Sequence, residues 1–291
     1  MRYAFVAAHK YEFPIEVMCR TISVSRSGYY AWLVRPESKR ARENRRLLVH
    51  IKVVHKQSRE TYGSPRVHKH LVREGERCGE VRVARLMAEA GVRAKQKRKF
   101  TVTTDSKHNH PVAENVLSRH FKVDEPNKAW SSDITYIPTS EGWLYLSSVL
   151  DLCTKRIVVW SMADRLDSSI ATDALSMAYQ RRQPVRGLLN HSDRGGQYAS
   201  EDYRNLVDSY GMEMSMSRKG NCLDNAPMES FFGTLKRELI HHKKYRTRRE
   251  AREEIFEYIE VFYNRQRLHS SLGYMSPADY EKQWLLLNQA A

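Results

Sequence analysis

The chain has 291 residues, 41% of them hydrophobic, enough for a sizeable core and more than one domain. Its longest apolar runs, Ile157 to Trp160 and Trp284 to Leu287, are far too short to span a bilayer, and His9, Lys10 and Glu12 interrupt any apolar leader. The expectation is a soluble cytoplasmic, nucleoid-associated protein with no membrane partner. The net charge is +15, and residues 1–120 hold 26 Lys and Arg against 11 Asp and Glu, whereas residues 121–291 hold 23 of each.

So uneven a split points to a polyanion-binding front end joined to a neutral domain. The four cysteines, Cys19, Cys78, Cys153 and Cys222, are scattered without a C-x-x-C pair, which argues against a disulfide framework or a cysteine-rich zinc site.

Residues 1–38 read as a helix-turn-helix-like segment. Ile15, Met18, Cys19 and Ile22 share one helix face, Ser23 to Gly28 makes a turn, and Tyr29, Tyr30, Trp32 and Leu33 follow. Residues 39–102 read as a tri-helical DNA-binding domain. Leu47, Leu48, Ile51, Val54 and His55 fit a first helix. Pro65 suits the start of a second, with Val67, His70, Leu71 and Val72 inside. A third begins at Glu80, buries Val83, Leu86 and Met87, and stops at Gly91. Arg82 and Arg85 then fall on its exposed face, and Arg93, Lys95, Lys97, Arg98 and Lys99 form a basic arm suited to phosphates. A solvated linker is the plain alternative for that arm.

Residues 103–120 are polar and aperiodic and read as a linker, His108 and His110 included. From 121 to 285 the texture is α/β. Strands are expected at Trp130–Ile137, Trp143–Asp151 and Arg156–Met162, with a turn at Ser140-Glu141-Gly142. Asp167 or Ser168 can cap a helix that buries Ile170, Ala171, Ala174, Leu175 and Ala178. A strand at Gly187–Ser192, a helix near 201–210, a strand at Met212–Ser217, a loop at Lys219–Asp224 and a helical last third follow. The stretch Arg248–Arg267 carries Ile255, Ile259 and Phe262 on one face. Three hairpin-connected strands followed by alternating helices and strands is the order of an RNase H-like fold.

Three acids stand out. Asp133 lies inside the first strand, where an acid is costly without a partner. Asp193 ends a strand just before Gly195 and Gly196, which allow close backbone approach. Glu229 sits in the first turn of a helix that Asp224 or Asn225 can cap. Singly, each has an ordinary explanation as edge acid, turn former or helix N-terminal acid. Together they suit two divalent ions, Mg²⁺ or Mn²⁺, held by a few carboxylates for phosphoryl transfer.

The words around the acids decide between these. Ser132-Asp133-Ile134-Thr135-Tyr136, His191 to Tyr198 and Asn221 to Phe232 resemble the signature of bacterial insertion-sequence transposases whose genes use two overlapping frames, and the chain resembles the second-frame product. Thirty-five residues separate Asp193 from Glu229, the spacing that family shares with retroviral integrases. Val24 to Trp32, Tyr62-Gly63-Ser64-Pro65-Arg66 and Tyr263 to Gly273 are similar to further family words.

The resemblance implies a retroviral-integrase-like catalytic core and a DDE transposase that hydrolyses the phosphodiester at the element ends. The freed 3′-hydroxyl then attacks another phosphodiester, commonly giving a circular intermediate before integration. It also implies that Asp133 bridges both ions, with Asp193 and Glu229 completing one each. The implied partners are the terminal inverted repeats, target DNA, at least a second copy of the chain, and a first-frame helix-turn-helix and zipper protein, separate or fused by frameshifting. The zinc module of the retroviral relatives has no counterpart here.

Lys236 lies two turns beyond Glu229 on the same face, with Met228, Phe232, Leu235 and Leu239 buried behind, and suits the terminal phosphate. Arg194 and Gln197 are further candidates for DNA contact. Tyr263, Asn264 and His269 are expected to close the last long helix against the core, and Ser276 to Asp279 to cap a final helix. A DNA-binding regulator with an inert back domain would leave the three acids unexplained. A simple RNase H-type nuclease would leave the basic modules unexplained.

Overall fold

The computed structural model describes residues 1–95 and 111–289, and the chain divides into two compact units, Met1–Lys52 and Val53–Ala291. In the first, helices α1 (Arg2–Ala8), α2 (Ile15–Thr21) and α3 (Arg26–Val34) close on Val6, Met18, Cys19 and Tyr29, with Ile15 and Ile22 packed alongside. Ser25 caps α3 by accepting from the Gly28 N–H at 3.0 Å. A Cβ at Gly28 would run into the Tyr3 hydroxyl, so glycine permits this close approach. Helix α4 (Lys39–Gln57) follows, with Leu47, Ile51 and Val54 buried.

In the second unit α5 (Ser64–Arg73), with Pro65 in its first turn, packs on α6 (Glu80–Glu89). Val67 and Leu71 face inward from α5, and Val83, Leu86 and Met87 from α6. His70 and Val72, expected inside, lie beside this narrow i, i+4 stripe: His70 pairs with Glu74 at 3.3 Å and Val72 is exposed.

The α/β part begins with a meander of β1 (Ala129–Thr139), β2 (Gly142–Asp151) and β3 (Ile157–Ala163). Gly142, at φ 104°, turns the first hairpin in a region that side chains avoid. Then come α7 (Ser169–Arg182), β4 (Leu189–Ser192), α8 (Gly196–Ala199), α9 (Glu201–Ser209), β5 (Glu213–Met216), α10 (Ala226–Glu238), α11 (Arg248–Phe256) and α12 (Pro277–Gln289). The strands lie in the order β3-β2-β1-β4-β5, antiparallel through the meander and parallel from β1 to β4 to β5. This is the expected RNase H-like arrangement.

Trp130, Val149 and Val158 on one sheet face pack with the expected Ala171, Ala174, Leu175 and Ala178 of α7 and with Tyr203 and Val207 of α9. α10 and α11 contact β1, and α11 contacts β2. Asp167 rather than Ser168 satisfies the start of α7, accepting from the Ser169 N–H at 3.1 Å.

Two further expectations change. The long helix expected at 248–267 is α-helical only to Phe256 and π-helical over Glu257–Tyr263. The wider turn, marked by Asn264 N–H donating to the Ile259 carbonyl at 3.0 Å, lets Tyr258, Ile259, Phe262 and Tyr263 all bury. Residues 114–119, expected in a linker, lie on the domain. Leu117 is buried, its N–H donates to Ser215 Oγ at 3.1 Å, and the Glu114 carbonyl accepts from the Met216 N–H. Lys97, Arg98, Lys99, His108 and His110 lie outside the described residues. Among the described residues no helix is long and apolar enough to cross a membrane.

Candidate active site

Side chains alternate along a strand, so Ser131 and Asp133 of β1 share a face, while Asp193 is the first residue beyond β4. The parallel register pairs Ser131 with His191 and Ser132 with Ser192, and Asp133 and Asp193 come next in line. Neighbouring strands lie about 4.8 Å apart, so two carboxyls start from adjacent backbone positions. Asp193 closes a tight turn, its Oδ1 accepting from the Gly195 N–H at 2.8 Å. A Cβ on Gly195 would lie 3.0 Å from that carboxylate, tighter than ordinary contact. Glu229 reaches in from the first turn of α10.

The electrostatics register the crowding. The Asp133 carboxyl is held well above the usual carboxylate range, first by burial and then by the Asp193 charge. The Ile134 N–H, donating to Asp133 Oδ1 at 2.8 Å, works the other way, Glu229 raises it further and Lys236 lowers it. Burial also raises Glu229. Lys236 is lowered by burial and raised by the charge of Asp133. Asp193, Glu229 and Lys236 thus each act on the Asp133 carboxyl. Among the described residues no group of three acids, histidines or cysteines is placed to hold a metal ion as it stands.

Family models of an integrase core domain match residues 123–222 and 229–285, and an HTH-like domain matches residues 42–100. A 31 kDa protein of insertion element IS600 from Shigella sonnei is 49% identical over 92% of this chain and 98% of its own length. Transposase InsF of insertion sequence IS3A from Escherichia coli is 41% identical over 97% of this chain and 98% of its own. The chain belongs to the IS3-type insertion-sequence transposases. A chain of the simian T-cell lymphotropic virus intasome with the PP2A regulatory subunit B56 gamma is similar over 79% of this chain and 74% of its own, at 14% identity and a TM-score of 0.47.

The transposase thus pairs an integrase core with a helix-turn-helix-like domain at α4 to α6, and DNA is what such domains bind. Several side chains around its acids were not legible as site residues. Asn225, expected as a cap of α10, makes no cap bond. Its Oδ1 accepts from Ser131 Oγ at 2.5 Å and its Nδ2 donates to the Ser132 carbonyl at 3.3 Å. One amide therefore ties the start of the Glu229 helix to the residues next to Asp133. Asp224, the other expected cap, is fully buried. It accepts from Arg218 Nε at 2.8 Å, Arg119 Nε at 2.7 Å and Asn115 Nδ2 at 2.9 Å. These partners, the Arg218 hydrogen bond first, hold its carboxyl far below the ordinary range. His191 is buried between Ser215 Oγ and Ser217 Oγ, and burial lowers it to about 4, so the ring is neutral at physiological pH.

The basic residues are more mixed. Arg194 Nε donates to the Ser217 carbonyl at 2.6 Å and braces the loops after β4 and β5. Arg85 is exposed and pairs with Glu89 at 2.9 Å, while Arg82 is half-buried. Lys95 pairs with Glu60 at 2.6 Å and its N–H donates to the Glu60 carbonyl. The closing words are structural, as expected. Asn264 exchanges two hydrogen bonds of 3.0 Å with the backbone of Ile157, Tyr263 donates to the Lys155 carbonyl, and Ser276 accepts from the Asp279 N–H at 3.1 Å.

Proposed function

We propose that Asp133, Asp193 and Glu229 are the catalytic and metal-holding acids of this transposase. The observation that supports this reading is the parallel β1–β4 register, which runs up to Ser132 and Ser192 just before Asp133 and Asp193, together with the charges of Asp193 and Glu229 acting on Asp133. A carboxyl raised first by burial and then by the Asp193 charge, with Lys236 acting on it in the opposite sense, would offer with its neighbours the hard oxygen donors that Mg²⁺ or Mn²⁺ takes. Two such ions would supply Lewis acidity to the attacking and leaving oxygens of a phosphodiester.

The residues divide the work. Asp133 would be shared between the two ions, and Asp193 and Glu229 would each help hold one of them. The first step is hydrolysis at the element end: the water oxygen joins phosphorus, the bond to the 3′ oxygen breaks, and that oxygen leaves as a hydroxyl. In the second step this hydroxyl attacks another phosphodiester, so one P–O bond is exchanged for another. Lys236 holds the terminal phosphate through its ammonium. Arg82, Arg85, Lys95, Lys97, Arg98, Lys99 and Arg194 supply further DNA contacts, the basic arm to phosphates and Arg82 of the third helix to base edges. Two element ends must meet, so the active complex contains at least two copies of the chain. A first-frame helix-turn-helix and zipper protein, separate or fused by frameshifting, is the further partner.

The test is cleavage of a labelled duplex carrying the terminal repeat that flanks the gene. Asp133→Asn, Asp193→Asn and Glu229→Gln should each abolish cleavage and strand transfer while duplex affinity persists, and the wild type should require Mg²⁺ or Mn²⁺. An Asp193→Asn protein cutting at the wild-type rate would overturn the assignment.

A further inference from the structure

Two words of the sequence that the acid site leaves unused meet in the fold. One is Tyr62-Gly63-Ser64-Pro65-Arg66, at the start of α5 in the helix-turn-helix-like domain. The other is Gln266-Arg267-Leu268, just beyond the π-helical segment of the core. Tyr62 is buried, and its hydroxyl accepts from the Leu268 N–H at 2.7 Å and donates to the Gln266 carbonyl at 3.2 Å. Arg66 Nε donates to the Leu268 carbonyl at 3.0 Å. Both backbone groups of Leu268 are therefore held by the helical domain. Arg73 adds a bond to the Tyr274 carbonyl at 3.2 Å, and Arg59 pairs with Glu257 at 2.9 Å while lying over the Tyr258 and Phe262 rings.

The contact continues inward. Arg267, the residue before Leu268, forks onto Glu238 at 2.9 and 2.7 Å, and Tyr258 also donates to Glu238 at 2.7 Å. Both charged side chains are almost fully buried. Glu238 is the last residue of α10, the helix whose first turn carries Glu229. At 1.5 Å per residue, roughly 13 Å of continuous helix separates the two. Hydrogen bonds to Leu268, the chain from Leu268 to Arg267, the Arg267–Glu238 pair and one helix thus join α5 to the third acid.

We propose that Tyr62 and Arg66 are positioning residues that lock the helix-turn-helix-like domain onto the far end of α10, and that this lock selects which phosphodiester is cut. The proposal rests on the reading that the three acids cut the DNA held by that domain. A domain on a loose tether raises local DNA concentration but leaves the scissile bond free to wander. A domain fixed by buried, directional bonds holds the distance and rotation between grip and acids constant, and misplacement by about 1 Å costs rate on the order of a hundredfold.

The experiment uses the full chain and the labelled terminal-repeat duplex. Tyr62→Phe removes only the hydroxyl, Arg66→Met removes the guanidinium at similar length, and the double variant removes both. Hydrogen exchange of residues 266–275 reports undocking, duplex titration reports grip, and sequencing of the new ends reports position. Expected are faster exchange in that segment, unchanged affinity, and a single cut site replaced by cuts scattered over neighbouring phosphodiesters. The yield at the native position should fall roughly ten- to a hundredfold. A double variant that exchanges faster yet still cuts at one position at the wild-type rate overturns the proposal, as does one whose exchange is unchanged. An Asp193→Asn control keeps the two readings apart. Cutting by that control sinks the acid assignment, whereas a fixed cut site in the undocked variant sinks the lock alone.

Discussion

Asp133 carries a carboxyl that its own fold penalises, through burial first and the Asp193 charge second. A carboxyl raised in the folded state binds its proton more tightly folded than unfolded. Its favourable contribution is present when protonated and is lost as pH rises from the unfolded value through the folded one. At neutral pH, without divalent metal, the ionised group therefore costs stability. Asp133→Asn should melt a few degrees higher than wild type in EDTA, with the gain shrinking as pH falls through the carboxylate range and Asp133 takes up its proton. Thermal melts at two pH values check this, and an equal or lower melting temperature at neutral pH would contradict it. Burial lowers the pKa of the Lys236 ammonium and the charge of Asp133 works against that lowering. Lys236→Ala should lower strand transfer about tenfold, the size of one charge-assisted hydrogen bond, with little change in melting temperature. A variant that joins ends normally would return Lys236 to the ordinary surface.

At the scale of elements, α10 depends on how its ends are fastened. Asn225 ties its start to Ser131 and Ser132, and Glu238 ties its end to Arg267. Asn225→Ala leaves the buried Ser131 hydroxyl and Ser132 carbonyl without this partner, at a cost of about 1–3 kcal/mol. Chemical denaturation should show that loss, and cleavage should fall further than stability does because Glu229 loses its aim at Asp133. Full activity in a destabilised Asn225→Ala protein would show that α10 is aimed by other contacts. The sequence marked α10 through Pro227, Glu229 and its apolar spacing, but read Asn225 and Asp224 as caps. A polar side chain before a helix suits a cap locally, and only the sheet packed behind it offers the better partners.

At the scale of the whole molecule, the charge asymmetry predicts how the chain grips DNA. Each phosphate neutralised by Lys or Arg releases condensed counterion, so log affinity falls linearly with log salt with a slope of about −0.9 per phosphate. In the full chain, changing Lys97, Arg98 and Lys99 to Gln should flatten that slope by about 0.9 for each phosphate no longer neutralised, equally for element-end and random duplexes. Arg82→Ala should instead narrow the difference between the two duplexes if the third helix reads bases. An unchanged slope in the triple variant would show that the basic arm is merely solvated.

The local elements were written in the linear pattern, because apolar spacing decides them residue by residue. Val83, Leu86 and Met87 announced α6, the buried alanines announced α7, and the words around Asp133, Asp193 and Glu229 announced the acids. Periodicity carries no distance between elements, so it could not show that Asp133 and Asp193 are neighbours. The parallel register of β1 and β4 brings together Ser132 and Ser192, the residues just before them. Nor could it foresee the π-helical turn, since an i to i+5 bond within an otherwise helical pattern is chosen by the burial it permits. Tyr62 and Leu268 lie 206 residues apart and share a hydrogen bond because folding offers the buried hydroxyl and the backbone N–H each other and no water.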